Sequence, residues 1–142
     1  MVGSRTVLVV EPDGDDRGGI ADALWRKGLH TESAHDAARA LACIEANHHA
    51  MIVVDPATPA LDVEMLVDAL RAAVPRPVVL VMIDRIAPPR GFAADVVHGY
   101  VRRGTDDEQL AELIRDCLAA LKESGTAPQP ASIPAVSLRP PQ

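Results

Sequence analysis

Met51-Ile52-Val53-Val54-Asp55-Pro56-Ala57-Thr58-Pro59 is the stretch whose reading decides the fold. Four apolar residues end in a carboxylate, and two prolines follow within four positions. A short Ile/Val run bounded by turn residues reads as a strand buried on both faces. Such strands belong to parallel sheets, where ligands bind beyond the carboxyl ends of the strands. Asp55 stands at that end. A carboxylate so placed can bind a metal, act as a base, or attack as a nucleophile to form an acyl phosphate. The plainer role is a turn or helix-capping aspartate, and its neighbours must decide.

The remaining chain repeats the same grammar. Residues 6–10 (Thr-Val-Leu-Val-Val) form a second apolar strand, ending in Glu11-Pro12-Asp13. Asp13 suits a helix N-cap, with Asp15 and Asp16 in the first turn. Ile20, Ala23, Leu24 and Lys27 keep helical spacing, and Gly28 suits the position just past the helix end. Residues 29–34 are short and half polar, as an edge strand is. Ser33-x-x-Asp36 resembles a capping box before a helix with Ala37, Ala40, Leu41 and Ile44 inward. Asp62 caps a third helix with Leu66, Ala69, Leu70 and Ala73 inward. Residues 78–82 form another buried strand, and a short helix is expected from Pro89. Residues 96–101 make a fifth strand. Thr105-x-x-Glu108 reads as a capping box before a helix whose stripe is Leu110, Leu113, Ile114, Cys117, Leu118 and Leu121.

Five βα units with right-handed crossovers give an α/β fold: a (βα)5 doubly wound parallel sheet with helices on both faces. Placing the first strand beside the third brings Glu11, Asp13 and Asp55 to one rim. Residues 1–122 form the domain. In residues 123–142 periodicity stops and five of the twelve prolines collect, which reads as a disordered Pro-rich tail or linker.

Composition narrows the function. The 142 residues carry a net charge of −6, which argues against a nucleic-acid partner. No apolar run approaches the roughly 20 residues that span a bilayer. No signal segment is visible, so a cytoplasmic location is expected. Cys43 and Cys117 lack metal-type spacing and read as reduced, buried thiols. His48-His49 reads as a solvated helix end, and Met65 and Met82 as fillers. Trp25 reads as packing at the edge of the last helix, with a docking anchor as the alternative.

These residues in register resemble a response-regulator receiver domain (CheY-like), over residues 5–122. Val7 to Asp13 stands at the strand with the acidic pair, and Asp55 with Pro59 and Asp62 at the phosphoacceptor strand and loop. Pro77 to Met82 matches the fourth strand, and Tyr100-Val101-Arg102-Arg103-Gly104 the fifth. The resemblance implies the flavodoxin-like three-layer sandwich, strand order 2-1-3-4-5. It implies Asp55 as phosphoacceptor, Arg103 as phosphate contact in place of Lys, Met82 in place of the switch Ser or Thr, and Tyr100 as switch aromatic. It implies Mg²⁺ on Glu11, Asp55, the Ala57 backbone and, as an alternative to its capping role, Asp13. Four departures weaken that chemistry: Pro12 replaces an acidic ligand, Met82 has no hydroxyl, Arg103 presents a planar fork, and Gly104 replaces Pro.

The function so implied is an atypical receiver in two-component (phosphorelay) signalling, with output through protein–protein contacts. The alternative is a pseudo-receiver, not phosphorylated, serving as a dimerisation or scaffold module. Neither is an enzyme beyond self-catalysed phosphotransfer to Asp55. Implied partners are a histidine kinase or phosphotransfer protein, and a second copy through the face at residues 92–121. A dehalogenase-type hydrolase would need a second Asp where Ala57 stands. The acidic loop after the first strand would repel a flavin phosphate.

Overall fold

The computed structural model describes residues 6–84, 91–93 and 95–124, the last four by backbone alone. The elements run β1 (Thr6–Val10), α1 (Gly14–Arg26), β2 (His30–Ala34), α2 (Ala37–Ala46), β3 (Met51–Val54), α3 (Val63–Ala72), β4 (Val78–Ile83), β5 (Gly99–Arg102) and α4 (Asp107–Ser124). All four strand pairings are parallel, in the order β2-β1-β3-β4-β5. This is the three-layer flavodoxin-like arrangement expected from the sequence. The short helix expected from Pro89, the residues before 6 and those after 124 lie outside the described residues. α4 runs two residues past the boundary expected at 122.

Pleat alternation sorts the strand side chains into two cores. Leu8, Val10, Ile52, Val54, Val79 and Val81 pack with Ala40, Ile44, Leu66 and Leu70 of α2 and α3. Val7, Val9, Met51, Val53, Leu80 and Met82 pack with Ile20, Leu24, Leu110 and Ile114 of α1 and α4. Both faces of β1, β3 and β4 are therefore dry, and polar chemistry can occur only at the strand ends.

Local capping follows the sequence at both ends of α1 and at the start of α3. Asp13 Oδ1 accepts from Asp15 N and Asp16 N at 2.9 and 3.0 Å, and Asp62 Oδ1 from Met65 N at 3.2 Å. α1 ends with Gly28 N donating to Trp25 O and Leu29 N to Leu24 O, the paired bonds of a Schellman motif. Gly28 has φ +81°, as that position requires.

Elsewhere the structure corrects the sequence reading. α2 is capped by Asp36 itself, which accepts from Arg39 N at 2.8 Å, while Ser33 lies inside β2. α4 is capped by Asp106, which accepts from Glu108 N and Gln109 N. Thr105 instead closes the preceding turn, its hydroxyl donating to Arg102 O at 2.6 Å. β5 starts at residue 99, not 96. Val96 N and Val97 N turn back to Ala93 O, and His98 Nδ1 accepts Val79 N, so the ladder begins later. Trp25 does not pack on α4. It is 68% exposed and meets His30 edge-on at 5.9 Å, because its position on α1 points away from the buried Ile20–Leu24 stripe. Met65 is likewise exposed.

His49 is also not solvated. Its Nε2 lies 2.5 Å from Glu32 Oε1, and Asn47 donates to the other oxygen of Glu32 at 3.0 Å. This group adjoins a cavity of about 460 Å³, lined by Asn47, His49, Ile52, Ala73 and Pro77 among others, at the end of the sheet opposite Asp55. Cys43 is buried and Cys117 half-buried, and both are free thiols.

Because Leu80 is fully buried at mid-sheet and Trp25 exposed, their truncations should differ sharply. Leu80→Ala is expected to cost about 2–5 kcal/mol, and Trp25→Ala no more than about 0.5 kcal/mol. Urea unfolding followed by circular dichroism measures both, and equal costs would contradict this packing.

Candidate functional site

Strand register builds the rim. Val10 pairs with Val54, Val54 with Val81, and Val81 with Tyr100. The next row therefore reads Glu11, Asp55, Met82, Val101 across four adjacent strands. Strands lie roughly 5 Å apart, so Glu11 and Asp55 are lateral neighbours with side chains on the same side of the sheet. Both are almost fully enclosed, at 3% and 1% exposure. The backbone continues the ladder past the strands: Glu11 N donates to Ala34 O, Asp55 N to Val10 O, and Arg103 N to Ile83 O.

Each rim carboxylate has named partners. Asp55 Oδ1 accepts from Ala57 N at 2.9 Å, and Asp55 Oδ2 is ion-paired with Arg103 Nη1. Glu11 Oε2 accepts from Asp13 N at 3.0 Å. Arg103 stands two residues beyond Val101, on the same side of the sheet, and spans Met82 to reach Asp55. The same guanidinium donates through Nε to Asp84 Oδ1 at 2.5 Å. Burial beside Asp55 lifts Glu11 to a pKa of about 7: desolvation leads, the Asp13 N–H opposes, and the Asp55 carboxyl adds to the rise. The anions around Arg103 push its already high pKa further up.

The other residues singled out from the sequence fall around this centre. Met82 is buried in the core formed with α1 and α4, beside Asp55 in the row but offering it no donor. Tyr100 is half-buried against the opposite core, the one with α2 and α3, and burial pushes its hydroxyl pKa up. Asp13 faces solvent as the α1 cap. Gly104 takes φ +88°, a turn conformation in which a side chain would be strained.

Three residues escaped the sequence reading. Thr58 is buried, and its hydroxyl donates to Asp55 O at 2.7 Å, closing the loop beneath the acid. Arg17 Nη1 donates to Glu11 O at 2.8 Å. Asp84 holds Arg103. An Asp-x-x-Thr turn was visible in the sequence as a signal for Thr58; neither Arg17 nor Asp84 leaves a local one.

The fold family implies Mg²⁺ here, and the donors do not fit it. Mg²⁺ demands near-octahedral oxygen ligands. The Pro12 side chain offers none, Asp13 spends Oδ1 on two helix N–H groups, and a guanidinium already neutralises Asp55. Among the described residues, no three Asp, Glu, His or Cys side chains are arranged to hold a metal ion.

Against known proteins, no family model matches this sequence and no curated protein matches it. Solved structures do match. A CheY-like receiver domain protein from Methanospirillum hungatei JF-1 superposes with a TM-score of 0.74 at 21% identity, covering 86% of this chain and 99% of that one. The chemotaxis response regulator CheY4 of Vibrio cholerae gives 0.70 at 20% identity, covering 80% and 98%. A Burkholderia pseudomallei response regulator, with a phosphorylated aspartic acid, a calcium ion and citrate, gives 0.67 at 18% identity, covering 85% and 72%. The chain therefore has the CheY-like receiver fold.

The raised Glu11 pKa sets a pH dependence. Unfolded, the carboxyl titrates near 4.5; folded, near 7. The folded state holds the proton more tightly, so this group destabilises the fold progressively as pH climbs through that window. Glu11→Gln should remove this loss, gaining on the wild type between pH 5 and 8. Carbon-13 NMR of the Glu11 carboxyl should show a midpoint near 7, moving down in Asp55→Asn as the neighbouring charge is lost.

Proposed function

We propose that this chain is an atypical receiver module of two-component signalling, with Asp55 as phosphoacceptor and output through protein–protein contacts. The observation that carries this reading is the placing of Asp55. It sits buried at the carboxyl end of the central strand, with an acid on one side and a guanidinium on the other. Receiver folds recur in signalling proteins, including one whose aspartate is phosphorylated.

The donor on this reading is a phosphohistidine of a kinase or phosphotransfer protein. A carboxylate oxygen of Asp55 attacks phosphorus, the P–N bond breaks, and the imidazole leaves with the electron pair and takes a proton. Arg103 offsets charge on the transferred group through its planar fork. Ala57 N holds the Asp55 side chain, the Thr58 hydroxyl holds its backbone carbonyl, and Asp84 holds Arg103 beside it. No step requires the chain to turn over a substrate. Among the described residues no helix is long and apolar enough to cross a membrane. A cytoplasmic setting is part of this proposal. A second copy would meet this one through the face at 92–121, built on β5 and α4.

The pseudo-receiver reading has its own support. Both oxygens of Asp55 are already engaged, and Met82 replaces the hydroxyl with packed hydrocarbon. Incubation with acetyl phosphate, with and without Mg²⁺, followed by intact mass spectrometry, separates the two. A phosphoryl adduct present in the wild type and lost in Asp55→Asn is the expected result. A wild type that gains no mass under either condition establishes the scaffold reading instead.

A further inference from the structure

Asp84 is the first residue after β4, and its side chain is 67% exposed. An exposed aspartate ordinarily meets only water. This one accepts Arg103 Nε, while Nη1 of the same guanidinium serves Asp55. The backbone of Arg103 is anchored by its N–H to Ile83 O at 2.8 Å, so only its side chain is free to redistribute. A lysine could not make this bridge so rigidly, because its single nitrogen has no fixed fork. One cation is thus divided between a buried acid just past β3 and an exposed acid at the start of the β4–β5 connection.

We infer that Asp84 is a positioning residue of this rim: it holds Arg103 over Asp55 and couples the charge on Asp55 to the start of the β4–β5 connection. A guanidinium shared by two anions responds to a change in either. If Asp55 loses its charge, Arg103 leans on Asp84 and holds it more firmly. If Asp55 gains a phosphoryl dianion, Arg103 is drawn to it and Asp84 is released. The route bypasses Met82, which has no hydroxyl to offer. The phosphoryl half of this inference rests on the function proposed above; the charge coupling itself does not.

Amide hydrogen exchange of the full chain, read by NMR at residues 83 and 84, which Arg103 contacts directly, tests the coupling. Asp55→Asn should slow exchange there by about 2–5-fold, the range of a half-exposed ion pair. In an Asp84→Asn background, the same Asp55→Asn change should have no effect at these two residues. Asp84 is exposed, so that background should fold, and its amide spectrum checks this. Arg103→Gln, if folded, should also erase the response. Unchanged exchange in Asp55→Asn, or an equal response with Asp84 already replaced, overturns the inference. Acetyl phosphate should speed exchange at the same amides. If mass spectrometry finds no adduct, the phosphoacceptor reading falls, while the Asp55→Asn comparison still decides the coupling.

Discussion

Two carboxylates buried side by side at the end of a dry sheet are the constraint on which this rim depends. Charge taken from water is expensive unless it is paired or neutralised. The molecule answers in two ways. Glu11 holds a proton into the neutral range, and Asp55 takes a guanidinium and a backbone N–H. Removing Arg103 would leave buried negative charge without its cation, a change of the kind that costs about 3–5 kcal/mol.

The sheet makes this crowding unavoidable. Strands buried on both faces leave no lateral room for polar groups, so acids collect where the strands run out. Parallel register then sets Glu11, Asp55 and Met82 in one row. Known receivers share the fold at 18–21% identity. What it asks of a sequence is apolar runs of the right length with turns between them, and many side chains meet that demand.

Departures from the receiver pattern find individual explanations in the packing. The Pro12 side chain can neither donate nor coordinate, and its neighbour Asp13 turns to the helix. Met82 fills core between β4 and α4 where a hydroxyl would have faced the acid. Arg103 is long enough to cross over that methionine, which a shorter donor at Val101 could not do. Gly104 supplies a positive φ where proline is sterically forbidden.

The architecture was legible in the chain alone because it rests on local rules. Ile/Val runs of four to six residues mark strands, Asp13 and Asp62 bond N–H groups two or three positions away, and Gly28 ends a helix. Even the one-residue slip from Thr105 to Asp106 is a local ambiguity between two adjacent cap formers. Pairings between distant residues were hidden. Arg103 meets Asp84 and Asp55 across 19 and 48 positions, and His49 meets Glu32 across 17. Trp25 is exposed although its type favours burial. Sequence spacing carries periodicity and capping, whereas these contacts depend on which strands lie side by side and in what register. Only the assembled sheet decides that.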